Sequence, residues 1–157
     1  MEKTLTKEQA KDKALRLLEF RSHSEKELSD KLKRAGAREE DLPFVIGFLK
    51  EYGFINDLKY ACAKARELSS LKKFGKHRIA ADLKFRGIAS EYIDEALSLL
   101  DDNEEEKLLP MLQKKLGGNF ERKNIDKAMR HFAAKGYSFD CIKQCIDKLE
   151  NENLQKG

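Results

Sequence analysis

A glycine-centred pattern occurs three times in this chain and constrains its fold more than any other sequence feature. Three similar seven-residue segments end at Gly36, Gly87 and Gly136, which lie 51 and 49 residues apart. Apolar residues follow each glycine at offsets of 6, 10 and 13 residues, the spacing of one side of an amphipathic helix. They are Leu42, Ile46, Leu49, Ile93, Leu97, Leu100, Ile142, Ile146 and Leu149. The pattern predicts three copies of one helical unit.

A second apolar stripe precedes each glycine at offsets of four and eight residues. Because glycine adopts positive φ at little cost, we expect each glycine to form the turn between two helices, where alanine should destabilise the fold. A first helix of each repeat is predicted over 5–21, 57–72 and 103–116. The residues of the second stripe are Leu28, Leu32, Ile79, Leu83, Ala128 and Phe132.

Each repeat is therefore expected to contain three helices. Repeats of this kind stack on their neighbours, so we predict an all-α fold, an elongated, curved array of three tandem three-helix repeats. The predicted boundaries are 1–53, 54–102 and 103–157. Charged residues make up 38% of the chain and proline occurs only twice, which favours solvated helices.

Local signals support these helix positions. Ser24 and Glu27 have the spacing of a capping box, and Asn56 and Ser138 are also suited to begin helices. Pro43 is expected in the first turn of a helix. Pro110 lies well inside a predicted helix, so we expect a kink or a later helix start there.

The chain shows no sign of export or of a membrane span. No apolar stretch approaches the roughly 20 residues needed to cross a bilayer, so we expect a cytoplasmic protein without membrane contact. Cys62, Cys141 and Cys145 are interpreted as reduced, mostly buried thiols. Cys141 and Cys145 are four residues apart and His131 is near in sequence, but no convincing fourth ligand appears, so we expect no metal.

The charge of the chain is small in total, +4, but very unevenly distributed. Residues 59–88 contain nine basic residues and two acids, a net of +7, and residues 89–106 contain eight acids and no base, a net of −8. The first segment could bind a phosphate backbone, and the second could face a protein partner and repel free DNA. The basic candidates are Lys64, Arg66, Lys72, Lys73, Lys76, His77, Arg78, Lys84, Phe85 and Arg86; the acidic candidates are Glu91, Asp94 and Glu95.

Plainer interpretations exist for both segments. Charge runs are usually solvated faces, and acids near the start of a helix are favoured by the helix dipole. Arg78 and Phe85 are expected to lie together, away from the buried stripe. The position of Phe85 holds Arg34 in the first repeat and Ala134 in the third, so the fold does not require an aromatic there. Phe85 could contact a partner, stack on a base or pack against an adjacent repeat.

Three segments resemble the RecX family: residues 21–28 (RSHSEKEL), 52–61 (YGFINDLKYA) and 74–79 (FGKHRI). Asn56 and Lys76 depart from the usual aspartate and proline of these motifs. The resemblance implies a regulator that lies in the groove of the RecA–DNA filament and inhibits RecA ATPase and strand exchange. It implies no catalysis and no cofactor, and Arg21, which opens the first motif, joins the binding candidates.

Three functions are therefore considered. The first is the RecA filament regulator, a monomer that also binds single- and double-stranded DNA weakly and without sequence specificity. The second is a helix-turn-helix-like repressor, although each helix after a glycine begins with acids, which would face DNA unfavourably. The third is a general helical scaffold for other proteins.

Overall fold

The computed structural model describes residues 4–156, and the regular structure in that range is helical apart from one bridge between Leu5 and Ala37. A 3-10 turn, Glu39–Asp41, precedes the third α-helix. The all-α prediction is confirmed. The helices are α1 (Lys7–Phe20), α2 (Glu25–Arg34), α3 (Leu42–Glu51), α4 (Asp57–Ser70), α5 (Lys76–Phe85), α6 (Ser90–Ser98), α7 (Glu104–Leu116), α8 (Arg122–Ala134) and α9 (Phe139–Lys156).

The described residues form two compact units. Unit 1 contains the residues up to Lys64 together with Leu83–Ala96, and unit 2 contains Ala65–Asp82 together with the residues from Leu97 onward. Helices α4, α5 and α6 therefore each contribute to both units. The division into three repeats with the boundaries given above stays a prediction.

The apolar stripes of the first and third repeats form the cores of the two units, and Ile79, Leu83 and Ile93 of the second repeat are buried as well. In unit 1, Ala14 of α1, Leu32 of α2 and Leu49 of α3 are fully buried in one cluster. In unit 2, Leu112 of α7 and Ile142 of α9 are fully buried in another. Leu32, Leu83 and Phe132, which occupy equivalent positions in the repeats, are all buried, as the repeat predicts.

The turns and caps also follow the sequence pattern. Gly36, Gly87 and Gly136 have φ angles of 107°, 84° and 103°, which confirms that the turn glycines adopt positive φ. Ser24 and Glu27 form the predicted capping box at the start of α2. The side chains of Asn56 and Ser138 each accept a backbone hydrogen bond, at 3.1 Å, from the residue three positions later.

The two prolines had different outcomes. Pro43 lies in the first turn of α3, as expected. Helix α7 begins at Glu104 and continues through Pro110, so the later start is wrong, and the alternative of a kink stays a prediction. Burial of Leu108, Leu112 and Leu116 along one face of α7 offsets the backbone hydrogen bond that Pro110 cannot donate.

Candidate functional site

Most of the predicted basic residues lie on one of two surfaces, one in each unit. Arg21, Phe85 and Arg86 line a surface cleft of unit 1, and a second group surrounds the loop between α4 and α5 in unit 2. We call the first the basic cleft; its lining residues are Arg21, Lys26, Glu27, Asp30, Lys31, Arg34, Phe85 and Arg86. We call the second the basic joint; its residues are Lys72, Lys73, Lys76, His77 and Arg78.

The basic cleft lies between α2 and the end of α5, with a volume of about 390 Å³. Five cationic side chains and two carboxylates line it, so it favours an anion. Phe85 is 84% exposed at its wall, and the Lys26 ammonium lies 6.0 Å from the centre of its ring. Arg78 and Phe85 lie seven residues apart on α5, and both are exposed, whereas Ile79 and Leu83 of the same helix are buried. The expected position of Arg78 beside Phe85 stays a prediction. Lys64 and Lys84 do not line the cleft.

A hydrogen-bonded carboxylate organises the cleft. Glu27 accepts hydrogen bonds from the Tyr60 hydroxyl at 2.5 Å and from the Arg21 guanidinium at 2.9 Å, and the Arg86 guanidinium lies 3.7 Å away. Burial raises the pKa of Glu27, but the hydrogen bonds from Tyr60, Arg21 and the Ser24 amide outweigh that effect and hold the pKa at about 2. Glu27 therefore stays charged and holds two arginines at the cleft.

The arginine at the α5 end is fixed from other sides as well. Arg86 donates to the Tyr60 hydroxyl at 3.0 Å, and its backbone carbonyl accepts a hydrogen bond from the Ser24 hydroxyl at 2.7 Å. Burial and the neighbouring Glu27 raise the pKa of Tyr60 to about 12, so the hydroxyl remains a donor at neutral pH. The guanidinium at position 86 is therefore held in one place rather than free in solvent.

A buried histidine lies behind the cleft. The ring of His23 places Nδ1 2.9 Å from the Arg21 carbonyl and Nε2 2.8 Å from the Lys31 ammonium. An ammonium only donates, so Nε2 accepts and Nδ1 carries the hydrogen of a neutral ring. Burial lowers the pKa of His23, and the charges of Arg21 and Lys31 lower it further, against the raising effects of the Arg21 carbonyl and of Glu27.

This histidine should make the stability of the protein depend on pH. A lowered pKa means that, below the ordinary value of 6.5, the unfolded chain takes up a proton that folded His23 does not. Stability is therefore full above 6.5 and falls as the pH drops below it. Urea unfolding at about pH 7.5 and about pH 5.5 measures this effect. We expect the free energy of unfolding to fall more between the two pH values for the wild type than for His23→Asn. His131, whose pKa is also lowered, leaves a residual slope in both proteins. Equal slopes would contradict the role of His23.

The loop of the basic joint is fastened within unit 2. Lys73 has a φ of 58°, the only positive value among non-glycine residues in the range 4–156. Its carbonyl accepts a hydrogen bond from the Tyr137 hydroxyl at 2.7 Å, and the Gly75 amide donates to the Lys135 carbonyl at 2.9 Å. These bonds offset the cost of the unusual backbone and present the lysine side chain at position 73 to solvent.

Two cations of the joint are partly engaged. The Lys76 amide donates to the Glu104 carboxylate at 2.7 Å, and its ammonium lies 3.6 Å from Asp102. Arg78 lies over the ring of Phe74, 4.4 Å from its centre. The adjacent acidic segment therefore neutralises part of the charge of the basic joint at Lys76. Lys72, Lys73 and His77 remain exposed, as does Arg66 on α4.

The acidic candidates on α6 lie at the surface. Glu91, Asp94 and Glu95 are all exposed. Of the acids that follow, Glu105 pairs with Lys148 of α9. Part of the acidic segment is thus used inside unit 2, and the partner-facing role of α6 stays a prediction.

Cys141 and Cys145 belong to the unit 2 core, whereas Cys62 is half-buried on α4 in unit 1. Cys145 is buried and Cys141 is half-buried, and neither forms a disulfide. Burial raises the pKa of both thiols, that of Cys145 to about 12, so they are protonated at neutral pH. Within residues 4–156 there is no cluster of three His, Cys, Asp or Glu suited to a metal, and no helix there is long and apolar enough to span a membrane.

The fold and these charged surfaces define an all-helical protein with repeated three-helix sequence patterns and two basic surfaces. Two family models match it: the first three-helix domain of RecX over residues 10–49 and the second over 56–97. The regulatory protein RecX of Clostridium botulinum (strain Eklund 17B) is 34% identical over 92% of this chain and 70% of its own length. That of Clostridioides difficile is 36% identical over 90% of this chain and 68% of its own.

A solved structure agrees with these relatives. The crystal structure of RecX from Lactobacillus salivarius has a TM-score of 0.82 and 26% identity, and the match covers 92% of this chain and 96% of that one. The chain therefore belongs to the RecX family of regulatory proteins, which confirms the resemblance found in its motifs.

Proposed function

We propose that this protein regulates the RecA recombinase by binding the RecA–DNA filament, where it suppresses ATPase activity and strand exchange. Membership of the RecX family supports a regulatory role. The basic cleft is the observation that carries the binding part of the proposal. It combines five cations, two of them held by Glu27, with an exposed aromatic ring, the combination that suits a nucleic-acid strand.

The neighbouring acids favour a protein–DNA complex over bare DNA. Exposed Glu91, Asp94 and Glu95 on α6 would repel a free duplex but can pair with cations of a protein partner. We therefore propose weak DNA binding without sequence specificity, and a monomer acting from the cytoplasm. The same acids weigh against a sequence-specific repressor, because α6 follows a turn glycine, where a repressor has its recognition helix.

The test is a titration of the protein into RecA of the same organism assembled on single-stranded DNA. We expect ATP hydrolysis to fall at amounts well below one molecule per RecA, because an inhibitor lying in a filament groove affects many subunits. An unchanged rate across a wide titration would contradict the proposal. Because phosphate contacts release counterions, inhibition should also weaken steeply as salt rises.

Variants of the cleft separate this site from general charge effects. The double variant Lys26→Glu with Arg34→Glu removes exposed cations while leaving the Glu27 hydrogen bonds intact. We expect it to need about tenfold more protein for half-inhibition, or more. Lys123→Glu with Lys127→Glu on exposed α8 makes the same charge change elsewhere and should inhibit normally.

The basic joint is tested in the same assay. One variant removes its cations by combining Lys72→Glu, Lys76→Glu, Arg78→Glu and Lys73→Asn. Asparagine is used at position 73 because it tolerates the positive φ there. Weaker inhibition by this variant with retained helicity would assign filament binding to both surfaces. Normal inhibition by both the cleft and the joint variants would show that filament binding lies elsewhere on the protein.

A further inference from the structure

The outer face of α3 has few charges in a highly charged chain. Exposed Lys50 of α3 pairs with Glu25 of α2, and the remaining surface positions carry one charged side chain, Glu51, although 38% of all residues are charged. Phe44 is 46% exposed and Tyr52 is 65% exposed, with the half-buried ring of Phe48 between them. We call this surface the α3 face; its residues are Pro43, Phe44, Gly47, Phe48, Glu51 and Tyr52. Such exposed apolar surface marks a binding site more often than scattered apolar residues do.

The other repeats supply an internal comparison. Counted from the turn glycine, the same six positions are predominantly polar or charged in α6 and the residues after it, and entirely so in α9. The aromatic character of the α3 face is therefore not a requirement of the three-helix repeat. The equivalent residues are Asp94, Glu95, Ser98, Leu99, Asp102 and Asn103 in the second repeat, and Lys143, Gln144, Asp147, Lys148, Asn151 and Glu152 in the third.

Gly47 lies in the middle of this face, and the packing of the protein does not explain why this residue is glycine. A Cβ added there would meet no atom within 4 Å, so packing does not demand glycine. Glycine in a helix interior costs roughly 1 kcal/mol relative to alanine, and at this site nothing within the protein offsets that cost. A glycine on an exposed helix face does, however, let another chain approach the backbone closely.

Two lysines of α1 determine what kind of partner fits. The ammonium groups of Lys7 and Lys11 lie 4.5 Å from the ring centres of Phe44 and Phe48, respectively. A nucleic-acid base would have to displace these cations to stack on the rings. A carboxylate could pair with them in place, since within the described part of the chain Lys7 has no acid within 4.0 Å and Lys11 has only exposed Glu8, at 3.5 Å.

We infer that the α3 face is a docking surface for an apolar segment of another protein that carries acidic residues beside its apolar side chains. The apolar side chains would contact Phe44, Gly47 and Tyr52, and the carboxylates would pair with Lys7 and Lys11. A second copy of this chain fits less well, because two identical faces would oppose their lysines to each other. The inference does not depend on the basic cleft.

The experiment is a selection of random displayed peptides of about 12 residues on the full-length protein, followed by anisotropy with the synthesised consensus peptide. We expect enrichment of Leu, Phe or Trp together with Asp and Glu. Phe44→Ser with Tyr52→Ser should weaken consensus binding by about tenfold or more. Gly47→Gln, which fits without a clash, should weaken it as well by blocking close approach.

Phe139→Ser is the matched control, because Phe139 is 62% exposed but lies on α9. It should bind the consensus peptide like the wild type, and circular dichroism should show equal helicity in all variants. The inference would be overturned if the selection enriched no peptides or enriched basic ones. It would also be overturned if Phe44→Ser with Tyr52→Ser bound the consensus peptide like the wild type. A third contrary result would be that the double variant keeps peptide binding but loses oligothymidylate binding or self-association.

Discussion

Gly136→Ala should lower the free energy of unfolding by about 3 kcal/mol, the largest effect expected of a single methyl group in this protein. The backbone at Gly136 has a φ of +103°, which an alanine adopts only with strain. The added Cβ would lie 2.4 Å from both the Cβ and the backbone nitrogen of Arg78 and 2.8 Å from the carbonyl oxygen of Gly75. Backbone atoms cannot give way as the end of a side chain can, so the α4–α5 loop would have to move.

Gly117→Ala is the control for the backbone conformation alone. Gly117 also has a positive φ, +57°, but an added Cβ there meets nothing within 4 Å. It should cost only about 1 kcal/mol, the strain of a left-handed residue. Urea unfolding of the two variants measures the difference, which reports the crowding between Gly136 and the loop. Equal losses would mean that the loop adapts freely and that its close packing is unimportant for stability.

Most of the helices could be predicted because their signals are local. The spacing of apolar residues around Gly36 predicts both the helices and their buried sides. Leu28 and Leu32 precede this glycine, and Ile46 and Leu49 follow it. Caps such as Ser24 act on residues three positions away. These relations are visible in one stretch of sequence and do not depend on which helices pack together.

The contacts between distant segments were not predictable in the same way. The approach of Gly75 to Gly136 and the bond from the Lys76 amide to Glu104 depend on the tertiary packing of unit 2. The basic candidates were grouped because they are continuous in sequence, but their residues fall in two compact units. Membership of the cleft could be predicted only in part, through Arg21, Phe85 and Arg86.

A signal for the rest of the cleft was present and missed. Asp30 and Lys31 follow Glu27 by three and four residues and precede Arg34 by four and three, which places all four on one side of α2. Their mixed charge looks like an ordinary solvated helix face. What distinguishes this helix face is that Arg86 and Tyr60, which are distant in sequence, contact Glu27. No local sequence pattern shows such contacts.

Glu27→Gln should lower the free energy of unfolding by about 2–3 kcal/mol at neutral pH, because it leaves Arg21 and Arg86 without the charge that they share. The Glu27 side chain is only 17% exposed, so solvent replaces the lost interactions poorly. Asp30→Asn is the matched control, since Asp30 is more exposed and, among residues 4–156, forms its ion pair only with Lys26 at the surface; it should cost about 0.5 kcal/mol or less.

The pH dependence gives a second readout of the same carboxylate. The pKa of Glu27 is lowered from 4.5 to about 2 in the folded protein, so its contribution is present above 4.5 and disappears as the pH falls towards 2. The wild type should therefore lose its stability advantage over Glu27→Gln across that window, as followed by urea unfolding at successive pH values. A constant difference between the two proteins down to the lower pH would mean that Glu27 acts through its shape and not through its charge.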